Sequence, residues 1–153
     1  MFLIGVIGGS AVNKEIYKKA FQTGALIAKK GGFVVCGGLS GVMEAACKGA
    51  KSEGGTTIGI LPGKSKSAAN PYVDIPVPTG IGEARNVVIV NTAAGFIAID
   101  GKEGTLSEIA FALKQKKPVM GIDTFNIKGV VKCGSPEEAV KKLFGLIRKE
   151  GKG

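Results

Sequence analysis

Short apolar runs alternate with longer stretches whose apolar positions recur every three or four residues, from one end of the chain to the other. Phe2-Leu3-Ile4-Gly5-Val6-Ile7 reads as a buried strand that stops at Gly8-Gly9-Ser10. Asn13 to Lys30 then carries apolar or small residues at Ile16, Tyr17, Ala20, Phe21, Gly24, Ile27 and Ala28. That period belongs to an amphipathic helix, with Asn13 as its N-cap and Gly31-Gly32 as its stop. Phe33 to Cys36 is the second strand, Ser40 to Glu53 the second helix, and Thr56 to Leu61 the third strand.

Beyond Pro62 the pattern loosens. Pro62, Pro71, Pro76 and Pro78 forbid a long helix, and Tyr72-Val73-Asp74-Ile75 is the segment best suited to a short strand. Val87-Val88-Ile89-Val90 has strand propensity, but Phe96 to Asp100 is the better strand and no hairpin turn separates the two. Gly82 to Thr92 is therefore predicted as a buried helix. Thr105 to Lys116 is a further helix, Pro118 to Ile122 a strand, and Val130 to Lys132 a candidate for another. Ser135-Pro136-Glu137-Glu138 opens the last helix with a Ser N-cap, Pro at the first helical position and Glu three residues after the Ser.

Alternation of short apolar strands with helices predicts an α/β fold: a doubly wound, mostly parallel, Rossmann-like sheet with helices on both faces. No repeat or linker interrupts the pattern, so residues 1–153 are expected to form one domain. In such sheets ligands bind beyond the carboxyl ends of the strands. The turns after strands are where chemistry is expected.

Composition narrows the partners. The 21 Lys and Arg against 12 Asp and Glu leave a net charge of +9, which favours anions. The lysines are spread along helical stretches, Trp is absent, and no Arg-rich or aromatic-interleaved tract occurs, so no specific nucleic-acid binding is expected. Cys36, Cys47 and Cys133 form no C-x-x-C pair, and there is no His. A Ser-His-Asp triad and a Cys/His zinc site are thereby excluded, and the odd, unpatterned cysteines fit a reducing compartment. The apolar opening Met1 to Gly9 is too short for a signal peptide or a membrane span, so a cytoplasmic protein without membrane attachment is expected.

Glycine is abundant, at 25 residues. That is roughly twice the ordinary share of about 7%. Three glycine-rich turns end strands and lead towards helices: Gly8-Gly9-Ser10, Gly37-Gly38-Leu39-Ser40-Gly41 and Gly101-Lys102-Glu103-Gly104-Thr105. Free backbone N–H groups at a helix start attract anions, and glycine lets a phosphate approach. Two familiar phosphate motifs are absent. Gly5, Gly8 and Gly9 have the wrong spacing for G-x-G-x-x-G, and the second strand ends in Cys36-Gly37 without a ribose-binding acid. Gly63-Lys64-Ser65 resembles the end of a P-loop, but the first Gly of that motif would fall at Ile58. It is read as an exposed basic loop.

Two segments match something more specific. Gly37-Gly38-Leu39-Ser40-Gly41-Val42-Met43-Glu44-Ala45 carries a glycine turn running into a helix through a Gly-hydrophobic-Met step. Gly101-Lys102-Glu103-Gly104-Thr105-Leu106-Ser107-Glu108 resembles a P-G-G-x-G-T-x-x-E signature, and Glu83-Ala84-Arg85-Asn86 lies between the two. Together they resemble the superfamily of Lonely Guy-type nucleoside-monophosphate phosphoribohydrolases and molybdenum-cofactor carrier proteins, many of which bear a lysine decarboxylase label. The likeness covers nearly the whole chain in element order, and the Ala-Arg-Asn step is nearer the carrier-like branch.

The resemblance implies a homodimer or larger homo-oligomer and a phosphorylated ligand at the second signature. It implies that Arg85 and Glu108 act on an N-glycosidic bond if the chain is a hydrolase. Gly8, Gly9, Ser10, Gly37, Gly38, Gly41, Asn86, Gly101, Gly104 and Thr105 are the candidate ligand and phosphate contacts. No cofactor is required on this view, and the bound molecule is a nucleotide or the molybdenum cofactor. The departures are Asp100-Gly101-Lys102 in place of P-G-G and Glu103 at the variable position, which set two carboxylates beside a phosphate site. They bear directly on whether hydrolysis occurs.

Simpler roles stand beside these. Thr105-x-x-Glu108 is also the spacing of a capping box, Arg85 could be a surface ion-pairing residue, Asn86 a turn or cap residue, and Cys36 a core residue. The expected function is binding of a phosphorylated purine- or pterin-type molecule, as in a carrier. The alternative is a phosphoribohydrolase, and a structural module with a disused pocket is the third option. Lysine decarboxylation is disfavoured, because no Schiff-base lysine with a cofactor-ring partner is evident.

Overall fold

The computed structural model describes residues 1–151. Seven strands form one sheet: β1 (Leu3–Gly8), β2 (Phe33–Cys36), β3 (Thr57–Leu61), β4 (Ile75–Pro78), β5 (Gly95–Ile99), β6 (Val119–Ile122) and β7 (Val130–Lys132). Five α-helices lie between and after them: α1 (Lys14–Lys29), α2 (Val42–Ser52), α3 (Arg85–Thr92), α4 (Glu103–Lys114) and α5 (Pro136–Glu150). The strand order is β4-β3-β2-β1-β5-β6-β7, and each neighbouring pair is parallel. The expected doubly wound, Rossmann-like sheet is present.

The two faces of the sheet are sorted by the period-two alternation of its strands. Ile4 and Val6 of β1, Val34 and Cys36 of β2, Ile97 and Ile99 of β5, and Met120 and Ile122 of β6 pack with α1, α2 and α5. Ile7, Val35, Ile60, Phe96, Ala98 and Val119 point the other way, onto Ile89 and Val90 of α3 and Ile109 and Ala112 of α4. Both faces are covered, which is why the strands read as unbroken apolar runs.

Helix starts follow local chemistry. Asn13 Oδ1 accepts from Ile16 N at 2.9 Å, and Ser135 Oγ accepts from Glu138 N at 3.1 Å. Glu138 closes back onto Gly134 N at 2.8 Å. Each such cap stabilises its helix by about 1 kcal/mol. The ambiguous valine-rich segment is helical, with a 3-10 turn over Gly82–Ala84 leading into α3. Helix α2 begins at Val42, two residues later than Ser40, because Gly41 adopts a positive φ at its N-cap.

The loosened stretch holds one correction. Its strand is Ile75–Pro78 rather than Tyr72–Ile75. Asn70 and Asp74 fold the earlier part into turns: Tyr72 N donates to Asn70 Oδ1, and Asp74 accepts from Thr57 N. Strand β4 lies at the edge of the sheet, with Thr79 N donating to Leu61 O at 3.1 Å just beyond it. Alternation then turns positions 76 and 78 outward, and both are proline.

Candidate functional site

The chain runs from β1 outward to β4, then returns to β5 beside β1 and runs outward the other way. Strands β1 and β5 therefore flank the topological switch point, with Gly8 opposite Ile99 at their carboxyl ends. The turns after these two strands diverge to opposite faces and leave a crevice between them. A cleft of about 330 Å³ lies there, at the small end of the range of about 300–1,000 Å³ found for ligand pockets.

Gly8, Gly9, Ser10 and Ala11 form one wall of the cleft, and Asp100, Lys102, Gly104, Thr105 and Glu108 the facing one. Leu39, Met43 and Pro62 come from the turns after β2 and β3 and from α2, while Glu83, Arg85 and Asn86 come from the start of α3. Of the residues singled out in the sequence, Gly8, Gly9, Ser10, Arg85, Asn86, Gly104, Thr105 and Glu108 thus meet in one place.

Gly37, Gly38, Gly41 and Gly101 stand behind the wall and shape it. A Cβ on Gly41 would lie 2.2 Å from Gly9 O, and one on Gly101 would lie 2.5 Å from the Thr105 side chain. The first glycine turn is tied to the second by Val42 N donating to Gly9 O at 2.9 Å and Ser40 Oγ donating to Ser10 O at 2.8 Å. Leu39, Met43, Pro62 and Glu83 complete the lining, and their signal in the sequence is positional: Leu39 and Pro62 follow strand ends, Met43 lies in the second glycine segment and Glu83 precedes Arg85.

Helix α4 aims its N-terminus into the cleft. Lys102 occupies the N-cap without a side-chain cap bond. The amides of the first turn and the helix dipole are therefore available to an anion. The helix starts at Glu103, so Thr105 is its third residue and cannot be an N-cap. That rules out the capping-box role for Glu108, whose side chain is buried in the cleft with the residue 7% exposed.

Arg85 is buried too, at 9% exposure, which removes the surface ion-pair role. One guanidinium N–H (Nη1) donates to Asn86 Oδ1, Asn86 Nδ2 donates to Ser107 Oγ at 3.4 Å, and Ser107 Oγ donates to Gly104 O at 2.6 Å. The arginine is thus linked by side chains to the turn that starts α4. Its Nε is buried without a hydrogen-bond partner. A buried guanidinium donor left unbonded is unfavourable by more than 1 kcal/mol, roughly.

The electrostatics are coupled. Burial pushes the Glu108 carboxyl up to about 7, with Arg85 opposing the shift. Burial likewise holds Arg85 below its usual value, with Glu108 the largest opposing influence. Near neutral pH, Glu108 exists in both protonation states, which suits a proton donor or acceptor. Among the described residues no cluster of three or more His, Cys, Asp or Glu side chains could hold a metal ion. Among the same residues, no helix is long and apolar enough to cross a membrane.

Parallel sheet, switch-point cleft and uncapped helix terminus define a Rossmann-like α/β protein with a ligand-sized site. More specifically, the chain belongs to the SLOG cluster4 family, whose model matches residues 1–144. An uncharacterised protein of Archaeoglobus fulgidus is 47% identical over 138 residues, covering 90% of this chain and 91% of the relative. The molybdenum cofactor binding protein of Rippkaea orientalis superposes with a TM-score of 0.90 at 37% identity, over 95% of this chain and 96% of its own. The molybdenum cofactor carrier protein of Chlamydomonas reinhardtii gives 0.88 at 34% identity, over 95% and 98%. The likeness to the carrier-like branch holds in structure as well as in sequence.

Proposed function

We propose that the chain binds a phosphorylated pterin- or purine-type molecule in the switch-point cleft and acts as a carrier for it, the molybdenum cofactor being the favoured cargo. The observation that supports this most is the meeting of the uncapped α4 N-terminus and the Arg85 guanidinium in one cleft. The amides of Gly104 and Thr105 suit a phosphate, and Gly8, Gly9 and Ser10 bring bare backbone close to it. Leu39, Met43 and Pro62 offer the apolar contact a flat ring needs, and Glu83 offers an acceptor to ring N–H groups. The cofactor-binding relatives named above agree with this cargo.

The hydrolase alternative has one specific observation in its favour. Glu108 is poised near pH 7 beside Arg85, as a general acid or base for an N-glycosidic bond would be. Asp100, whose carboxylate lines the same cleft, weighs against a phosphate under either reading.

Incubation with AMP and GMP, followed by chromatography for free base and by melting curves, separates the two. Raised melting temperature without base release supports the carrier role, as does molybdenum co-purifying with protein made in cofactor-producing cells. Base release abolished in Glu108→Ala would make the chain an enzyme instead. No shift with either nucleotide and no co-purified molybdenum would sink both.

A further inference from the structure

Cys36 and Cys47 are not used by the proposed function, yet they are set up for chemistry of their own. Their Sγ atoms lie 3.5 Å apart, Cys36 at the end of β2 and Cys47 on α2. Gly38 N donates to Cys36 Sγ at 3.3 Å. The next residue, Gly37, is the floor under Arg85: a Cβ there would lie 2.6 Å from Nη2 and 2.7 Å from Met43 Sδ. Met43 lines the cleft, so the thiol pair sits one layer beneath it. Cys133 is remote in sequence, near β7, and forms no such pair.

We propose that Cys36 and Cys47 are a modification site, a dithiol that a small peroxide converts to a disulfide, and that closing it moves the Gly37-Gly38 turn and the arginine resting on it. The partners settle the order of events. Cys36 receives the Gly38 amide, which stabilises a thiolate. Its thiolate attacks one oxygen of hydrogen peroxide, the O–O bond breaks, and the departing hydroxide takes up a proton as water. The Cys36 sulfenic acid is then attacked by the Cys47 sulfur. The S–O bond breaks, and the hydroxide leaves as water with the proton that Cys47 gives up. Two thiols and one peroxide become one disulfide and two waters.

A disulfide needs its sulfurs about 2.05 Å apart. The pair must therefore draw together from 3.5 Å. Cys36 ends a strand and connects directly to the glycine turn, so the adjustment is transmitted there. The effect on binding rests on the cleft being the ligand site; formation of the bond does not.

The test treats the reduced protein with one equivalent of hydrogen peroxide, blocks remaining thiols under denaturing conditions, and maps the peptides. A Cys36–Cys47 link, with Cys133 still free, is expected. In Cys47→Ala a dione probe should trap sulfenic acid at Cys36, and in Cys36→Ala neither remaining thiol should react. Oxidation of Met43 alone, over-oxidation of Cys36 without a link, or no loss of thiols would overturn the site. Oxidised wild type should also show displaced Gly37 and Gly38 amide resonances and at least fivefold weaker GMP binding. Displaced resonances with unchanged GMP affinity would overturn the coupling while leaving the disulfide. No GMP binding in the reduced protein would count against the ligand reading and leave the amide shifts as the judge of coupling.

Discussion

The guanidinium of Arg85 occupies the space that a side chain at position 37 would need, with Nη2 2.6 Å from the place of a Cβ on Gly37. A side chain at this position would have to push aside the flexible ends of Arg85 and Met43. Gly37→Ala should displace Arg85 from the cleft. Overpacking of this kind destabilises by roughly 1–3 kcal/mol. GMP affinity is expected to fall at least tenfold, more than in Gly63→Ala, where the exposed loop has open space. Equal affinities measured by calorimetry would show that Arg85 does not contact the ligand.

Glu108 predicts a pH-dependent stability. Its folded value of about 7 lies above the ordinary 4.5, so between those values the folded state holds a proton that the unfolded state has lost. Stability should therefore be fully present below about pH 4.5 as far as this group is concerned, and should decline as pH rises through about 7. The difference is on the order of 3 kcal/mol. Glu108→Gln should flatten the slope and raise the denaturation midpoint at pH 8. Denaturant titrations at pH 5.5 and 8 check this, and an unchanged slope in the variant would assign the pH effect elsewhere.

Asp100 sets a carboxylate where the family likeness has a neutral residue. It holds a positive φ of 55°, a conformation Asn tolerates equally, so Asp100→Asn removes charge with little backbone disturbance. Binding of AMP or GMP should tighten about fivefold, roughly 1 kcal/mol, and Lys102→Ala should weaken it by a similar factor. If both variants bind as wild type does, the phosphate lies elsewhere in the cleft.

Ser107 and Asn86 carry no charge and yet link Arg85 to the Gly104 carbonyl. Ser107→Ala should loosen the arginine and reduce its influence on Glu108, whose titration followed by carbon NMR should move upward. Ser107→Thr keeps the hydroxyl and should restore the wild-type midpoint. A loss of stability with no change in that titration would reduce Ser107 to a local helix-start residue.

The fold was legible because its buried strands are short, apolar and bounded by Gly or Pro, and because both sheet faces are covered. The helical state of Val87 to Val90 followed from spacing alone: Phe96 to Ile99 lies too near for a second strand without a hairpin. Boundaries were harder where a turn competes with a strand, as at Tyr72, whose amide is bound by Asn70. The abundance of glycine had a second cause that periodicity could not reveal. Gly24 and Gly49 let α1 and α2 pack backbone to backbone, since a Cβ on either would lie 1.9 Å from a carbonyl of the other helix.

The candidate site was legible where a motif carried it, at Arg85, Gly104, Thr105 and Glu108. The remaining lining of the cleft was not. Leu39, Pro62 and Glu83 have ordinary side chains that only the convergence of three separate turns brings together. The Cys36–Cys47 contact was equally hidden, since no spacing rule joins a strand end to a residue in the middle of the next helix.

Proline at both outward positions of β4 has a consequence for assembly. An outer strand normally offers unsatisfied amides to any passing chain, and here the ones that could recruit a partner have been replaced by rings with nothing to donate. Growth of the sheet across that border, whether by a second copy or by an unfolded segment, would have to proceed without donors from this side, on the outward carbonyls alone.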